Sequence, residues 1–316
     1  MKRGHLTANV LLWISSALTT ACAAGGLPEE SDDLAAEEAA ASAALAAVGT
    51  GSCLDGDTSF GGAGPFGVST RTVGRVKFWV PRVPTGCKVP IVHLANGTGA
   101  TCSAYGSSLQ RLATHGFLAA CYENTNTGAG QFGLEAYETA IREFPIADAT
   151  KFGSTGHSQG GQASLVTIAL IQDKYGEEVQ TAALPMQPAS GFGVQPRGQS
   201  WQQAYRKVRS PVFMFSGNST TGYANSLLLG IGIGDGLVAI SWVNEGFDAL
   251  SRDIEAYHWT AVGSTHIPTP QAAENEIAPA WFRWKLLGDQ AACRYVKGLV
   301  SGRWRVQKQQ NVQDCQ

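Results

Sequence analysis

Charge is scarce in this chain. Asp, Glu, Lys and Arg make up 15% of its 316 residues, and the formal net charge is −2. Without a basic surplus, nucleic acid is not an expected partner. Low charge together with 38 glycines also excludes a coiled coil or a largely disordered chain, and suits a compact exported protein. There is no C-x-x-C pair and no clustered Cys/His spacing, so no zinc site is expected. Internal repeats are absent. The apolar run at 10–14 is too short to span a membrane.

That run still carries meaning where it stands. Lys2 and Arg3 precede it, and small residues follow it up to Ala21 and Cys22, so residues 1–22 read as an export signal. Leu18-Thr19-Thr20-Ala21-Cys22 is similar to a bacterial lipoprotein cleavage site, with the leucine one place further from the cysteine than usual. A lipid on Cys22 would anchor the protein to a membrane surface without a spanning helix; ordinary signal cleavage nearby is the alternative. The expected location is outside the cytoplasm, either secreted or membrane-anchored on the periplasmic side or the cell surface.

Residues 23–51 contain six acidic residues from Glu29 to Glu38, many alanines and no basic residue. One-signed charge and low hydrophobicity make this an acidic, Ala-rich linker. Residues 52–316, about 265 in all, are enough for one large α/β domain. Beyond Cys22 stand Cys53, Cys87, Cys102, Cys121, Cys293 and Cys315. An even count in an exported chain points to three disulfides, and six cysteines allow fifteen pairings. Proximity in sequence favours Cys53–Cys87, Cys102–Cys121 and Cys293–Cys315.

Within this domain β-prone and helical stretches alternate. Strands are expected at 72–80, 89–95, 117–121, 151–155, 181–187, 212–216 and 255–262. Helices are expected at 103–115, 134–144, 162–174, 200–208, 241–251, 273–287 and 290–299. Alternation of this kind specifies a doubly wound, mostly parallel sheet flanked by helices. The segment 217–236 has no clear pattern.

The most informative stretch is Gly156-His157-Ser158-Gln159-Gly160, followed by Gly161. It lies between an expected strand and an expected helix, the context of a G-x-S-x-G nucleophile elbow. A serine on such a turn projects its hydroxyl above the sheet. The glycines are needed because strand and helix pass too close for side chains. A plain Gly-rich connection would not require so many of them.

A serine nucleophile needs a base, and the base needs an orienting acid. In α/β-hydrolases the chain order is Ser, then Asp or Glu, then His. Only His258 and His266 follow Ser158. His258 falls inside a strand, where a structural role is ordinary. His266 lies on the loop past the last expected strand, at the carboxyl edge where catalytic groups collect. For the acid, Asp235 lies in a glycine-flanked loop, with Asp248 on the 241–251 helix as the reserve. No acid directly follows the 212–216 strand. Two backbone N–H groups must also meet the oxyanion. Gln159, after the nucleophile, supplies one, and Thr98 in the Asn96-Gly97-Thr98-Gly99 loop supplies the other. Phe192, Trp201, Tyr223 and Trp242 are candidates for a substrate cleft, although a core or surface role is the ordinary expectation for each.

Together, His93-Leu94-Ala95-Asn96-Gly97-Thr98-Gly99-Ala100-Thr101, Leu112-Ala113-Thr114-His115-Gly116-Phe117, the elbow and Gly263-Ser264-Thr265-His266 resemble secreted bacterial α/β-hydrolases of the polyester hydrolase type. These are the cutinase and PET-hydrolase relatives, whose fold resembles dienelactone hydrolases. The resemblance implies an α/β-hydrolase fold and an ester substrate, either a small ester or a polyester. It implies no cofactor and no metal, with the protein a monomer. It carries nucleophile, acid and base onto Ser158, Asp235 and His266. The family usually has an aromatic residue where Thr98 stands and a methionine where Gln159 stands, so a polymer substrate does not follow from the resemblance alone. An amidase could use the same triad, and a non-catalytic surface-anchored binding protein could use the same scaffold.

Overall fold

The structure, a computed structural model, describes residues 53–54, 59–190, 199–218, 237–266, 275, 277–300 and 304–316, all within the unit Val48–Gln316. The expected export signal, Cys22 and the linker lie outside the described residues.

Nine strands form one sheet: β1 (Val68–Val73), β2 (Val76–Pro81), β3 (Val89–Ala95), β4 (Leu118–Tyr122), β5 (Ala147–His157), β6 (Gln180–Met186), β7 (Val212–Asn218), β8 (Ala256–Val262) and β9 (Trp304–Gln310). Their order is β1-β2-β4-β3-β5-β6-β7-β8-β9. From β4 through β8 neighbouring strands are parallel. The pairs β1–β2, β2–β4 and β8–β9 are antiparallel. The central parallel strands are buried along nearly their whole length, as expected when helices cover both faces.

The helices are α1 (Gly106–Thr114), α2 (Gln131–Glu143), α3 (Gln159–Tyr175), α4 (Trp201–Arg206), α5 (Ile240–Asp248), α6 (Ala278–Leu287) and α7 (Gln290–Gly298). Strand residues alternate between two cores. Ile91, Leu118 and Met214 point into one, with Leu165 of α3, Tyr205 of α4 and Val243 of α5. Val92, Ala119 and Phe213 point into the other, with Leu109 of α1, Trp281 of α6 and Val296 of α7. This is the period-two alternation of a strand that feeds both faces. The result is a mixed, mostly parallel α/β sheet with helices on both sides.

Two details differ from the sequence expectation. The single strand expected at 72–80 is a hairpin, because Val73 pairs with Val76 across the turn residues Gly74 and Arg75. Gly74 adopts φ 59, a left-handed value that a β-branched residue would resist and that tight hairpin turns favour. Strand β9 had no expectation at all. Most of its side chains are exposed, and Arg305, Lys308 and three glutamines hide any apolar alternation. Such polar, charged strands suit a sheet edge, where they discourage further pairing.

The expected cysteine pairs meet. Cys102–Cys121 and Cys293–Cys315 are disulfide-bonded, and Cys53 pairs with Cys87, with Cα separations of 5.8, 5.7 and 5.8 Å respectively. The bridges point to an oxidising, extracellular environment. No helix among the described residues is long and apolar enough to cross a membrane.

Candidate functional site

Strand β5 ends and α3 begins at Ser158. Phe152 to His157 are all buried, and so is the first half of α3. The chain reverses between them by holding Ser158 at φ 57 and ψ −119. A non-glycine residue in such a conformation costs on the order of 1–3 kcal/mol and persists only where its surroundings enforce it. The enforcing contacts are visible. Ser158 N–H donates to the Met186 carbonyl at 3.0 Å, and Ala189 N–H donates to the Ser158 carbonyl at 3.0 Å. The turn is thereby laced to the end of β6.

The elbow glycines are close-contact glycines. A Cβ on Gly160 would lie 1.9 Å from the Ala95 carbonyl oxygen, and one on Gly156 would lie 2.3 Å from the Gly160 oxygen. One on Gly161 would lie 2.8 Å from the Met186 oxygen. All three obstacles are backbone atoms, which cannot swing aside.

The Asn96-to-Gly99 loop follows β3 and packs against this turn. Gly97 leaves little room for a side chain: a Cβ there would be 3.1 Å from both His157 Nδ1 and the Tyr105 hydroxyl oxygen. Thr98 is half-buried beside it. Asn96 is fully buried and donates through Nδ2 to the carbonyls of Ala100 (2.7 Å) and Asn124 (2.6 Å). Gln159 heads α3, so its N–H is one of the donors that a helix N-terminus leaves without an intrahelical partner. Its side chain is buried, and Oε1 accepts from Thr127 N–H at 3.0 Å. Thr127 in turn donates through its hydroxyl to the Asn96 carbonyl at 2.7 Å. The loops after β3 and β4 and the start of α3 form one polar lattice under the serine.

His266, four residues past β8, is buried, and its ring stands 4.4 Å from the His157 ring. Two strands separate β5 from β8 in the sheet, so this meeting depends on how the edge loops fold back. Gln187 helps bridge the gap: its Nε2 donates to the Thr265 carbonyl at 3.2 Å. Ser158, Gln159, Thr98 and His266 therefore gather at the carboxyl edge of the sheet.

The remaining candidates divide. Asp235, Phe192 and Tyr223 lie outside the described residues. Asp248 is engaged elsewhere: Lys308 on β9 contacts its carboxylate at 2.6 Å and Arg252 at 4.0 Å. Trp201 is buried in the core, edge-on to Tyr205. Trp242 is half-buried against the same core. His258 is structural, with Nε2 2.9 Å from Ser216 Oγ and Nδ1 2.9 Å from Asn244 Oδ1.

Sequence reasoning passed over Tyr105, Gln187 and the second role of His157. Tyr105 and Gln187 carry no motif. Their only signal is that each follows closely on a segment that reaches the carboxyl edge.

Among the described residues, no three His, Cys, Asp or Glu side chains are grouped to hold a metal. A polar cavity of about 420 Å³ opens at the opposite edge, near the amino ends of β6–β8, where Gln180, Arg209, Glu255, Trp284 and Lys285 line it. There Lys285 pairs with Glu255 at 2.6 Å, both nearly buried, and Tyr257 donates to the same carboxylate. Burial pulls the Lys285 ammonium down to about 8. This cavity is remote from Ser158 along the strands. No family model and no curated protein matches the chain.

Proposed function

We propose that this chain is a serine hydrolase of the α/β-hydrolase fold that cleaves carboxylic esters through an acyl-enzyme. The observation that carries the reading is the strained Ser158 backbone, clamped between a buried strand and a buried helix by glycines that tolerate no Cβ. A turn built at such cost only to connect two elements has no evident purpose; one that presents a nucleophile does.

In this reading Ser158 Oγ attacks the ester carbonyl while His266 takes its proton. Asp235 orients the imidazole and stabilises its charged form. The N–H groups of Thr98 and Gln159 receive the oxyanion, and the positive end of the α3 dipole favours the same charge. The alcohol leaves with the proton from His266. Water, activated by His266, then releases the acid and restores Ser158. The chain is read as exported, either anchored through a lipid on Cys22 or secreted after ordinary signal cleavage. Its motifs resemble those of cutinase and polyester hydrolases, so the substrate read for it is an ester, either a small ester or a polyester.

The test is hydrolysis of a short-chain aryl ester and labelling by a fluorophosphonate. Ser158→Ala should lose both, with activity down by about 10³-fold or more. Wild-type activity in that variant refutes the reading. Asp235→Asn should cost on the order of 10³–10⁴-fold in kcat, and Asp248→Asn close to nothing. An unaffected Asp235→Asn enzyme removes Asp235 from the triad. Short esters, long esters and a polyester film, compared side by side, would identify the substrate class.

A further inference from the structure

His157 is the second residue of the elbow, and its ring is buried rather than turned to a cleft. Its Nδ1 lies 2.8 Å from the Tyr105 hydroxyl, and that hydroxyl lies 3.1 Å from the Gly97 N–H. The direction of this chain follows from chemistry. Gly97 N–H can only donate, so the tyrosine oxygen accepts there and gives its own proton to Nδ1. A neutral imidazole with Nδ1 accepting carries its hydrogen on Nε2. Nε2 faces the His266 backbone carbonyl and the Gln187 side chain, although neither makes a hydrogen bond of full geometry with it. Both offer oxygen acceptors, and Gln187 Oε1 is otherwise without a partner. Burial first, then the neighbouring His266 ring, holds the His157 imidazole well below its ordinary range, so the ring stays neutral. The groups facing it are Tyr105 from the turn after β3, His266 from the loop after β8 and Gln187 from the loop after β6.

We propose that Tyr105 and His157 form a positioning relay that holds the Gly97–Thr98 amides and the His266 loop in register about Ser158. The relay rests on the reading of Ser158 as nucleophile. One end fixes the loop that supplies an oxyanion donor. The other end packs the His266 ring and faces its backbone. Neither residue touches the reacting atoms. A shift of about 1 Å in either loop is enough to slow a reaction by up to about 100-fold, because donor and base must both meet the same transition state.

The full-length chain is the test material. Tyr105→Phe removes one hydroxyl and keeps the ring. Its kcat on a short-chain aryl ester should fall about tenfold while KM stays within about twofold, since only the transition state senses the misplaced donor. His157→Gln keeps a polar partner for Tyr105 and should retain more kcat than His157→Phe. Unchanged kcat in Tyr105→Phe, or equal losses in the two His157 variants, overturns the relay even when Ser158 takes the fluorophosphonate label. A wild-type chain that takes no label at Ser158 overturns the underlying reading, and the relay with it.

Discussion

Lowering the pH should unfold this protein early, through its histidines. His93 on β3 and His258 on β8 are fully buried, and desolvation pushes both down to about 3. His115 is pushed down to about 4 by the same cause, and His157 lies well below its ordinary value. In the unfolded chain each titrates near 6.5. Between the folded and unfolded values the unfolded state binds more protons, so stability is full above pH 6.5 and falls as pH drops below it. The loss for each histidine is about 1.4 kcal/mol at pH 5.5 and grows by about the same for each further unit. His93, His115 and His258 together remove about 4 kcal/mol at pH 5.5, a large part of the stability of a typical domain, and His157 acts in the same direction. Urea unfolding followed by tryptophan fluorescence at pH 7.5, 6.5 and 5.5 measures this directly. His93 gives a second handle, because its Nδ1 is buried without a partner. His93→Leu should reduce the loss between pH 7.5 and 5.5 by about 1.4 kcal/mol. A urea midpoint that does not move over this range, or the same pH dependence in His93→Leu, refutes the reasoning.

Gly160→Ala places a methyl 1.9 Å from the Ala95 carbonyl oxygen, so the β3 loop or α3 must shift. Ester hydrolysis should fall about 100-fold while a cooperative thermal transition persists; retained activity would show that the elbow can open without harm. At the opposite edge, Lys285→Ala leaves the Glu255 carboxylate, whose side chain is 3% exposed, without its cation. Chemical denaturation should show a loss of about 3–5 kcal/mol, and a smaller loss when Glu255→Leu is combined with Lys285→Met. Equal losses in the single and double variants would mean that the ion pair is not what matters there.

Much of the fold was legible because its signals are local. The 89–95 strand was expected with the limits that β3 has, since a seven-residue run apolar at every position but His93 is what a doubly buried parallel strand looks like. The helix expected at 200–208 was found as Trp201–Arg206 with Ser200 at its N-cap, accepting from Gln203 N–H at 3.2 Å. The strand expected at 151–155 is longer, Ala147–His157, because β3 and β6 support it through irregular and apolar positions alike. β9 was illegible: its strand character comes from pairing with β8, not from its own polar sequence. The hairpin at Gly74 was blurred because two short strands that both carry β-branched residues run together around a two-residue turn.

At the site, the sequence by itself determined the elbow. A serine flanked by glycines at 156, 160 and 161 can meet the backbone geometry of that turn, and the obstacles are the peptide atoms of adjacent strands and of the first turn of α3. Tertiary structure alone decided the company Ser158 keeps. His266 reaches the elbow across two intervening strands, and Tyr105 reaches His157 from 52 positions away in the chain. Asp248, equal in chemistry to any other acid, is drawn instead to Lys308 by the pairing of β9 on β8. Backbone strain is written in the few residues that must tolerate it. A meeting of distant side chains depends on every loop that closes between them, and no short motif records that.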